Sequence, residues 1–400
     1  MSKEILIVGG GAAGLMAAVC AKEENPSARV TVIEANDRVG KKLLTTGNGR
    51  CNLTNAFATA ADYAPAKVAG VFDRMPPQKV MEKFAGMGLV CRQEGEGRVY
   101  PASDAASSVL DALRLTAAHL GVAEVTGFCV SDVQRSKNGF TVRSGDGRQQ
   151  RGDVLILTCG GQAASKFTGY DAAKALGHTV TKLQPALLPV KTDGVGIKGL
   201  NGVRCKCAAS LLVDSKSVHR EEGVVLFKDF GLSGIAVFQL SRVMARQKGK
   251  CVIELDLLPE MTDAQAEEFL FDRVETLGWR GTDTFFLGMF HKNVAGNLLR
   301  MAGISGGLVE DMTVSQVKKL ARVMKHWQHN VTGTQSWQNA QVTVGGVPMD
   351  EVDDETLASR VCRGLYLAGE ILDVDGPCGG YNLQWAWASG CAAGRNAAKE

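Results

Sequence analysis

Three glycines near the start of the chain, Gly9, Gly11 and Gly14, have the spacing Gly-x-Gly-x-x-Gly. This spacing allows a tight turn, close approach of the backbone to a pyrophosphate, and close packing of a helix on a strand. The helix N-terminus would present unpaired amides and a partial positive charge to the phosphates. Glu34 lies twenty residues after Gly14, where its carboxylate can accept hydrogen bonds from both ribose hydroxyls of an adenosine. Together these residues predict an adenine dinucleotide site.

The same glycine spacing occurs a second time, at Gly194, Gly196 and Gly199. The residues that follow, 200–213, form a strand-like run without a helix pattern. Because a phosphate site of this kind needs a helix N-terminus, we interpret the second match as a loop and predict one nucleotide domain.

The residues around the first motif have the pattern of a strand–turn–helix–strand unit. Residues 4–8 (EILIV) predict a buried parallel strand, 15–24 an alanine-rich helix that ends before Pro26, and 29–34 (RVTVIE) a second strand. A βαβ unit of about thirty residues is the smallest device that binds a dinucleotide.

Later segments predict further parts of the same domain. Residues 127–148 alternate apolar and polar side chains around two Asx-Gly turns, which favours an antiparallel meander. Residues 154–157 predict another buried strand, and residues 364–368 and 381–398 predict a strand and a helix near the end of the chain. The chain is therefore expected to leave the α/β domain and return to it.

The middle of the chain has a different character from Pro189 onward. Short β-like runs at 208–213 and 252–257 are separated by glycine-rich and charged turns, which predicts a β-rich second domain. Two capping boxes within the same part of the chain predict amphipathic helices, namely Thr262 with Gln265 before residues 263–277, and Thr313 with Gln316 before residues 314–329.

His326 and His329 have a spacing that could place both side chains on one helix face. Lys318, Lys319 and Arg322 lie on the same predicted helix, with Lys325, and no nearby carboxylate or thiol completes a metal site. We therefore interpret this segment as a solvated helix face and predict no metal.

Two segments point to a flavin. Residues 45–55, TTGNGRCNLTN, can bring backbone amides and asparagine side chains close to a flat polar ring. Near the end of the chain, Gly379 and Gly380 immediately precede the last predicted helix. The N-terminus of that helix can stabilise the negative charge that develops on a flavin's pyrimidine edge on reduction.

Composition excludes several function classes. The 45 basic and 42 acidic residues give a net charge of +3 without basic tails, so no nucleic-acid partner is expected. The 11 cysteines include no Cys-x-x-Cys pair, which argues against a zinc ribbon or a disulfide scaffold. The glycines that interrupt the first apolar run argue against a signal peptide, and no membrane insertion is expected. A cytoplasmic location is the prediction.

Several segments together resemble the HI0933-like flavoproteins, a family of NAD(P)/FAD-dependent oxidoreductases that includes bile-acid reductases of the BaiN type and aminoacetone oxidase. The segments occur in the family's order along nearly the whole chain: the glycine-rich start, TTGNGRCNLTN, LILTCGG at 155–161, GLSGIAVFQLS at 231–241, and the tail from GEILD to GGYNLQWA. The resemblance implies an α/β fold with an FAD-binding, Rossmann-like domain similar to that of glutathione reductase, an inserted β-barrel-like domain and a small helical subdomain.

The predicted domain bounds follow from the changes of pattern. They are 1–188 and 341–400 for the FAD-binding domain, 189–258 and 331–340 for the β-rich domain, and 259–330 for the helical subdomain. The resemblance also implies a set of cofactor-binding residues: Gly9, Gly11, Ala12, Ala13, Gly14, Glu34, Ala35, Lys42, Gly47, Asn48, Gly49, Arg50, Cys51, Asn52, Gly160, Gly369, Glu370, Asp373, Gly380, Tyr381, Asn382 and Leu383.

No motif assigns a catalytic acid or base. Cys51 is a redox or proton-transfer candidate because it lies in the flavin loop, and a packed thiol is the alternative. Tyr381 and Glu370 could contact flavin or substrate, or serve in packing and capping. Lys42 could neutralise a phosphate, or belong to a solvated basic turn.

The function implied by the resemblance is FAD-dependent oxidoreduction, with hydride transfer at flavin N5. We expect NAD(P)H-linked reduction of an activated C=C bond in a small organic substrate. One alternative is an amine oxidase that uses oxygen. Another is a flavoprotein with a role in RNA modification or assembly, against which the near-neutral charge argues.

Overall fold

The computed structural model describes residues 2–65, 67–163 and 169–399. The chain forms two compact units. Unit 1 contains the chain up to Gln184 together with the chain from Val342 onward, and unit 2 contains Pro185–Gln341. None of the helices in the described ranges has the length and apolar character that a membrane crossing requires.

The strands are given in chain order. They are β1 (Glu4–Val8), β2 (Arg29–Ile33), β3 (Thr54–Asn55), β4 (Cys91–Gln93), β5 (Arg98–Pro101), β6 (Ala123–Val125), β7 (Val130–Ser136), β8 (Gly139–Ser144), β9 (Gln149–Gly152), β10 (Val154–Leu157), β11 (Gln184–Ala186), β12 (Val190–Thr192), β13 (Arg204–Val213), β14 (Lys216–Lys228), β15 (Gly231–Ser233), β16 (Cys251–Asp256), β17 (Trp327–Thr334), β18 (Val342–Val344) and β19 (Leu365–Leu367).

The helices are numbered in the same way. They are α1 (Ala12–Glu24), α2 (Ala69–Phe72), α3 (Pro77–Gly86), α4 (Ala106–His119), α5 (Tyr170–Ala175), α6 (Ile235–Met244), α7 (Asp263–Leu277), α8 (Lys292–Ala302), α9 (Val314–Lys325) and α10 (Tyr381–Lys399).

Unit 1 is built on a parallel sheet in the order β19-β10-β1-β2-β6. Ile5 and Ile7 of β1 are fully buried, and Leu6 and Val8 are nearly so, because a central parallel strand is covered on both faces. Antiparallel strands β7, β8 and β9 form the expected meander, and β3, β5 and β4 form a second small sheet.

Helices α1 and α10 pack unusually closely in unit 1. A Cβ atom at Gly390 or Gly394 would come within 2.4 Å of the Ala13 carbonyl oxygen or 2.2 Å of the Ala17 carbonyl oxygen. Since only glycine permits such an approach, these two positions hold the last helix of the chain directly against the first.

Unit 2 contains a closed barrel in the order β12-β15-β14-β13-β16-β17. Its core is shared with residues of α6 to α9, including Leu270, Leu298 and Leu320, which are fully buried. Inside, Phe227 and Trp327 lie with ring centroids 5.4 Å apart, and Trp327 and His329 with centroids 5.2 Å apart. The Rossmann-like fold class with an inserted barrel is confirmed.

The helix predicted over residues 314–329 is too long. It ends at Lys325, and β17 begins at Trp327, where alternate residues turn inward and pair with β16. The interpretation of a solvated face is wrong for His329, which is fully buried. It is also wrong for Lys325, whose buried ammonium donates to Asp256 and to backbone carbonyls. The apolar residues fit a helical period up to Lys325, but barrel closure fixes the residues beyond it.

Candidate functional site

Four of the predicted site segments follow the carboxyl ends of neighbouring parallel strands. Gly9 follows β1, Glu34 follows β2, Gly160 lies beyond β10 and Gly369 lies beyond β19. Ligands of open α/β sheets bind at this edge, because the turns after the strands meet there. The sheet order therefore brings together residues from both ends of unit 1.

The three glycines of the first motif have different surroundings. A Cβ atom at Gly9 would lie 2.5 Å from the Thr158 carbonyl oxygen, and one at Gly14 would lie 1.9 Å from the Gly9 carbonyl oxygen. A Cβ atom at Gly11 would meet nothing within 4 Å. Gly9 and Gly14 thus allow close packing within the fold, whereas Gly11 borders open space.

Gly11 is also the residue that precedes the first turn of α1. No side chain caps this end of the helix, so the amides of the first turn, at Ala12, Ala13 and Gly14, have no intrahelical acceptor. Such a helix end attracts an anion through its amides and its partial positive charge. The site thus fits a dinucleotide pyrophosphate.

Glu34 is held in place at the end of β2. Its Oε2 accepts a hydrogen bond from the Gly10 amide at 2.9 Å, and its Oε1 accepts from the amide and the side chain of Asn36 at 2.8 and 2.6 Å. Ala35 lies between Glu34 and Asn36 in the sequence. The carboxylate is therefore oriented toward the glycine turn, beside the open space at Gly11.

The TTGNGRCNLTN loop begins within a kinked helical segment, Leu43–Gly49, where Gly47 and Asn48 have left-handed backbone conformations; Cys51, just beyond the segment, has one too. Arg50 donates from Nε to Asp104 at 2.8 Å and pairs with Glu94 at 2.5 Å. These two carboxylates raise the pKa of the Arg50 guanidinium, which also lies 4.0 Å above the Tyr100 ring. Arg50 therefore fixes the loop and does not project alone toward a ligand.

Buried hydrogen bonds join this loop to α10. Thr54 donates to the side-chain oxygen of Gln384 at 2.6 Å, and both residues are fully buried. Trp387 Nε1 donates to the Leu53 carbonyl at 2.8 Å. Sequence reasoning missed the roles of Thr54 and Gln384, although a glutamine between apolar helix residues is a usable signal for a buried polar contact.

The start of α10 is a second helix N-terminus beside the loop. Gly380 approaches Thr54 so closely that a Cβ atom would lie 2.4 Å from the Thr54 carbonyl carbon. When its amide is oriented to satisfy both ends, Asn52 accepts from the Gly380 amide at 3.3 Å. Asn382 instead turns back and bonds Gly376 and Pro377, so its side chain shapes the preceding turn.

Further predicted residues form polar links within unit 1. Lys42 donates to Glu370 at 2.6 Å, and Glu370 also accepts from the Thr343 amide at 2.8 Å. Asp373 accepts from Thr181 at 2.9 Å. Because Lys42 is paired with a carboxylate, the structure favours the helix end of α1 over this lysine as the partner of a phosphate.

The remaining predicted residues lie beside these links. A Cβ atom at Gly160 would be 3.8 Å from Glu370 Oε2, and one at Gly369 would be 2.9 Å from Ala13 Cβ. Gly49 borders open space, as Gly11 does. Leu383 is partly buried against the core of unit 1. Both segments of unit 1 therefore contribute to one edge of the sheet.

The two catalytic candidates differ in their chemistry. Cys51 is fully buried, and this burial raises the pKa of its thiol to about 12. Tyr381 is partly exposed, and burial together with Asp62 raises its pKa above the usual range. At neutral pH both groups are protonated, but only the Tyr381 hydroxyl belongs to a side chain that reaches the surface.

The chain is similar to known proteins along nearly its whole length. A family model described as HI0933-like protein Rossmann domain matches residues 3–396. The chain is 37% identical to a 3-dehydro-bile acid delta(4,6)-reductase of Clostridium scindens, over 98% of each chain. It is 28% identical to ribosomal RNA dihydrouridine synthases of Haemophilus influenzae, over 97% of each chain, and of Escherichia coli, over 98% of this chain and 97% of that one.

Solved structures with low sequence identity share the fold. A 3-ketosteroid delta1-dehydrogenase of Sterolibacterium denitrificans, 14% identical, aligns with a TM-score of 0.51 over 100% of this chain and 99% of its own. A quinol–fumarate reductase, 16% identical, aligns with the same TM-score of 0.51 over 100% of this chain and 71% of its own.

Proposed function

The chain belongs to the HI0933-like family and is an FAD-dependent oxidoreductase, and we propose that it reduces a C=C bond conjugated to a carbonyl group in a small organic substrate. NAD(P)H is the proposed electron donor. The observation that carries this proposal is the 37% identity, over 98% of each chain, to a relative named as a delta(4,6)-reductase of a 3-dehydro-bile acid.

The proposed cofactor contacts divide between the two helix ends. The first turn of α1, with Gly11 at its start, would hold the pyrophosphate, and Glu34 would bind the adenosine ribose. Residues Gly47–Asn52 and the first turn of α10 would border the ring. Bound FAD would supply hydride transfer at its N5 atom.

The residues of the chain would bind and orient the cofactor and would protonate the substrate. The amides of the first turn of α10 would stabilise negative charge on the ring side of the site. Tyr381 is the proposed proton donor, because its hydroxyl is protonated at neutral pH and its residue opens α10. Cys51 is proposed to serve only in packing, since a thiol with a pKa of about 12 is a poor acid and a poor nucleophile.

The relatives named as ribosomal RNA dihydrouridine synthases favour a second candidate function. Forming dihydrouridine also adds two hydrogens across a C=C bond conjugated to a carbonyl. The chemistry proposed for this chain is thus shared, and the two candidates differ in the size and charge of the substrate. The near-neutral charge of +3 supports the small-molecule substrate.

The test is an anaerobic reduction followed by a choice of acceptors. FAD-loaded protein is reduced with NADH or NADPH and then mixed with a 3-oxo-4-ene steroid or a uridine-containing ribosomal RNA fragment. In a separate arm, protein with oxidised FAD is mixed with a primary amine, which can only donate electrons. We expect flavin reoxidation and loss of the enone absorbance with the steroid. Reoxidation by RNA alone would select the second candidate, and flavin that only amines reduce would select an amine oxidase and overturn the proposal.

The Tyr381→Phe variant separates proton donation from cofactor binding. It should retain FAD and reduction by NAD(P)H, while enone turnover falls by at least tenfold. Tyr63→Phe is the matched control, because the Tyr63 hydroxyl donates to the Tyr381 carbonyl at 2.8 Å and its ring packs against Tyr381. An equal loss of turnover in both variants would mean that Tyr381 acts through packing.

A further inference from the structure

A serine, a histidine and a glutamate of unit 1 form a hydrogen-bonded chain that the proposed flavin reaction does not use. His178 lies in the middle: its Nδ1 is 2.7 Å from Glu351 Oε2, and its Nε2 is 2.8 Å from Ser359 Oγ. The His178 side chain is fully buried, so the imidazole is held between its two partners. This arrangement has the connectivity of a Ser-His-Glu triad, which is identified by geometry and not by position in the sequence.

Further hydrogen bonds hold Glu351 as a carboxylate. The Thr179 amide donates to both carboxylate oxygens, at 3.2 and 3.0 Å, and the Thr179 hydroxyl donates to Oε1. Although burial opposes ionisation, the bonds from Thr179 and His178 hold the pKa of Glu351 below its usual range. Because a carboxylate can only accept, His178 Nδ1 donates to it, and Nε2 is left to accept the proton of the Ser359 hydroxyl.

The backbone around Ser359 places two amides at its hydroxyl oxygen. Oγ accepts from the Cys362 amide at 2.8 Å and from the Val361 amide at 3.1 Å. The Ser359 amide donates to the Leu365 carbonyl at 2.8 Å, which ties this turn to the start of β19. Donors at this distance stabilise negative charge on Oγ, and they lie near the position of an oxyanion on a carbon bonded to Oγ.

Ser359 belongs to a surface turn of unit 1. It is partly exposed, and the next two residues, Arg360 and Val361, are exposed. The exposed fraction of Val361 is 48%, so an apolar side chain lies open beside the nucleophile and suits the acyl group of an ester. The open surroundings favour a small acyl group over a long one, which would need a deep apolar cleft.

We propose that Ser359 is the nucleophile of a second activity, the hydrolysis of small carboxylic esters. Ser359 Oγ attacks the ester carbonyl carbon while His178 Nε2 takes the hydroxyl proton, and Glu351 stabilises the imidazolium. The bond to the alcohol oxygen then breaks, and His178 gives the proton to the leaving alcohol, which leaves an acyl-serine. Water attacks the acyl carbon by the same route and releases the acid. One ester and one water thereby give one acid and one alcohol, and the flavin takes no part.

A fluorophosphonate probe tests the nucleophile directly, because an activated serine displaces its fluoride and stays phosphonylated. FAD-loaded protein is treated with the probe, digested and mapped by mass spectrometry. We expect an adduct on Ser359 that forms more slowly when phenyl acetate competes. The Ser359→Ala variant should lose this adduct and most of the phenyl acetate hydrolysis. The Ser103→Ala variant is the control, because the exposed Ser103 hydroxyl donates to Ser108 at 2.7 Å, and it should be labelled on Ser359 like wild type.

The role of Glu351 is to position His178, and two variants test it. Glu351→Gln keeps the size of the side chain without its charge, and it should slow the labelling of Ser359 by about tenfold or more. Glu351→Asp keeps the charge and should recover part of the rate. Equal labelling rates in Glu351→Gln and wild type would remove Glu351 from the mechanism.

Two results would overturn the proposal. One is wild-type protein that is folded by circular dichroism and carries no probe on Ser359. The other is hydrolysis of phenyl acetate at equal rates by wild type and Ser359→Ala. The proposal does not rest on the flavin reaction, since steroid reduction can fail while the Ser359 adduct remains.

Discussion

The two Gly-x-Gly-x-x-Gly matches of this chain lie in entirely different structures. The first precedes α1, and Gly11 at its centre has an ordinary φ of −84° and open space beside it. The second lies in turns before β13, and all three of its glycines have left-handed conformations. The same spacing therefore serves a helix end in unit 1 and a folded loop in unit 2.

The neighbours of the second match explain its glycines. A Cβ atom at Gly196 would lie 2.7 Å from Met301 Sδ and 2.9 Å from Trp327 Nε1. Asn297 donates to the Gly196 and Lys198 carbonyls at 2.7 and 3.1 Å. Here glycine permits close packing inside one unit, so the glycine spacing does not by itself produce a helix end of the kind that can bind an anion.

The Gly11→Val variant should give the largest effect on the first match. Because no neighbour lies within 4 Å and the backbone is unstrained, the fold should persist while the new side chain fills the space proposed for the pyrophosphate. We expect FAD affinity to fall by about 100-fold, or about 2.7 kcal/mol. Fluorescence titration with FAD measures the affinity, and circular dichroism tests whether the fold persists.

Gly199→Ala is the matched change in the second match, since a Cβ atom there also meets nothing within 4 Å. Its φ of +77° should cost about 1 kcal/mol of stability without changing FAD affinity. Full FAD affinity in Gly11→Val would remove the distinction between the two matches.

The His329→Phe variant tests the interior of the unit 2 barrel. Neither ring nitrogen of His329 has a hydrogen-bond partner among the described residues, and burial lowers its pKa from 6.5 to about 4. The unfolded chain therefore binds a proton that the folded chain does not, so stability is retained above pH 6.5 and lost as the pH falls toward 4. Across this pH range, the shifted pKa of His329 should lower the free energy of unfolding by about 3 kcal/mol.

Urea unfolding at pH 7 and pH 4.5 measures this effect. The loss of stability between the two pH values should be smaller in His329→Phe than in wild type. His326→Gln is the control, because Asp263 and Glu254 raise the pKa of that exposed histidine and its removal should change the pH dependence in the opposite direction. A wild-type pH dependence in His329→Phe would contradict the burial argument.

The Thr54→Val variant tests the link between the flavin loop and α10. It leaves the buried Gln384 oxygen without its donor, which should cost about 2 kcal/mol of unfolding free energy. We also expect weaker FAD binding. Thr45→Val is the control, because the exposed Thr45 hydroxyl donates only to the Lys42 carbonyl, and equal effects in both variants would argue against the link.

The smallest expected effects come from the helix caps of unit 2. The hydroxyls of Thr262 and Thr313 accept hydrogen bonds from Gln265 and Gln316 at 3.3 and 3.2 Å. Thr262→Ala and Thr313→Ala should each lower stability by about 1 kcal/mol. Neither substitution should alter FAD affinity. A lower FAD affinity in either variant would mean that the stability of the unit 2 helices affects cofactor binding.

Much of the fold was predictable because local patterns specify it. The helix over 263–277 and both capping boxes are confirmed, and β1 and β10 have the predicted bounds. The Rossmann-like fold class, the family and the FAD-dependent oxidoreductase activity are confirmed as well. The cofactor contacts, the division into three domains and NAD(P)H stay predictions.

The sequence by itself determined the features that depend on neighbours in the chain, namely strand and helix periods, caps, and the turn before α1. Only the tertiary structure decided which distant residues meet. Barrel closure makes His329 an interior residue, and the buried Thr54–Gln384 bond joins two segments far apart in the sequence. Such contacts follow from the order of strands and the distance between helices, which local propensities do not encode.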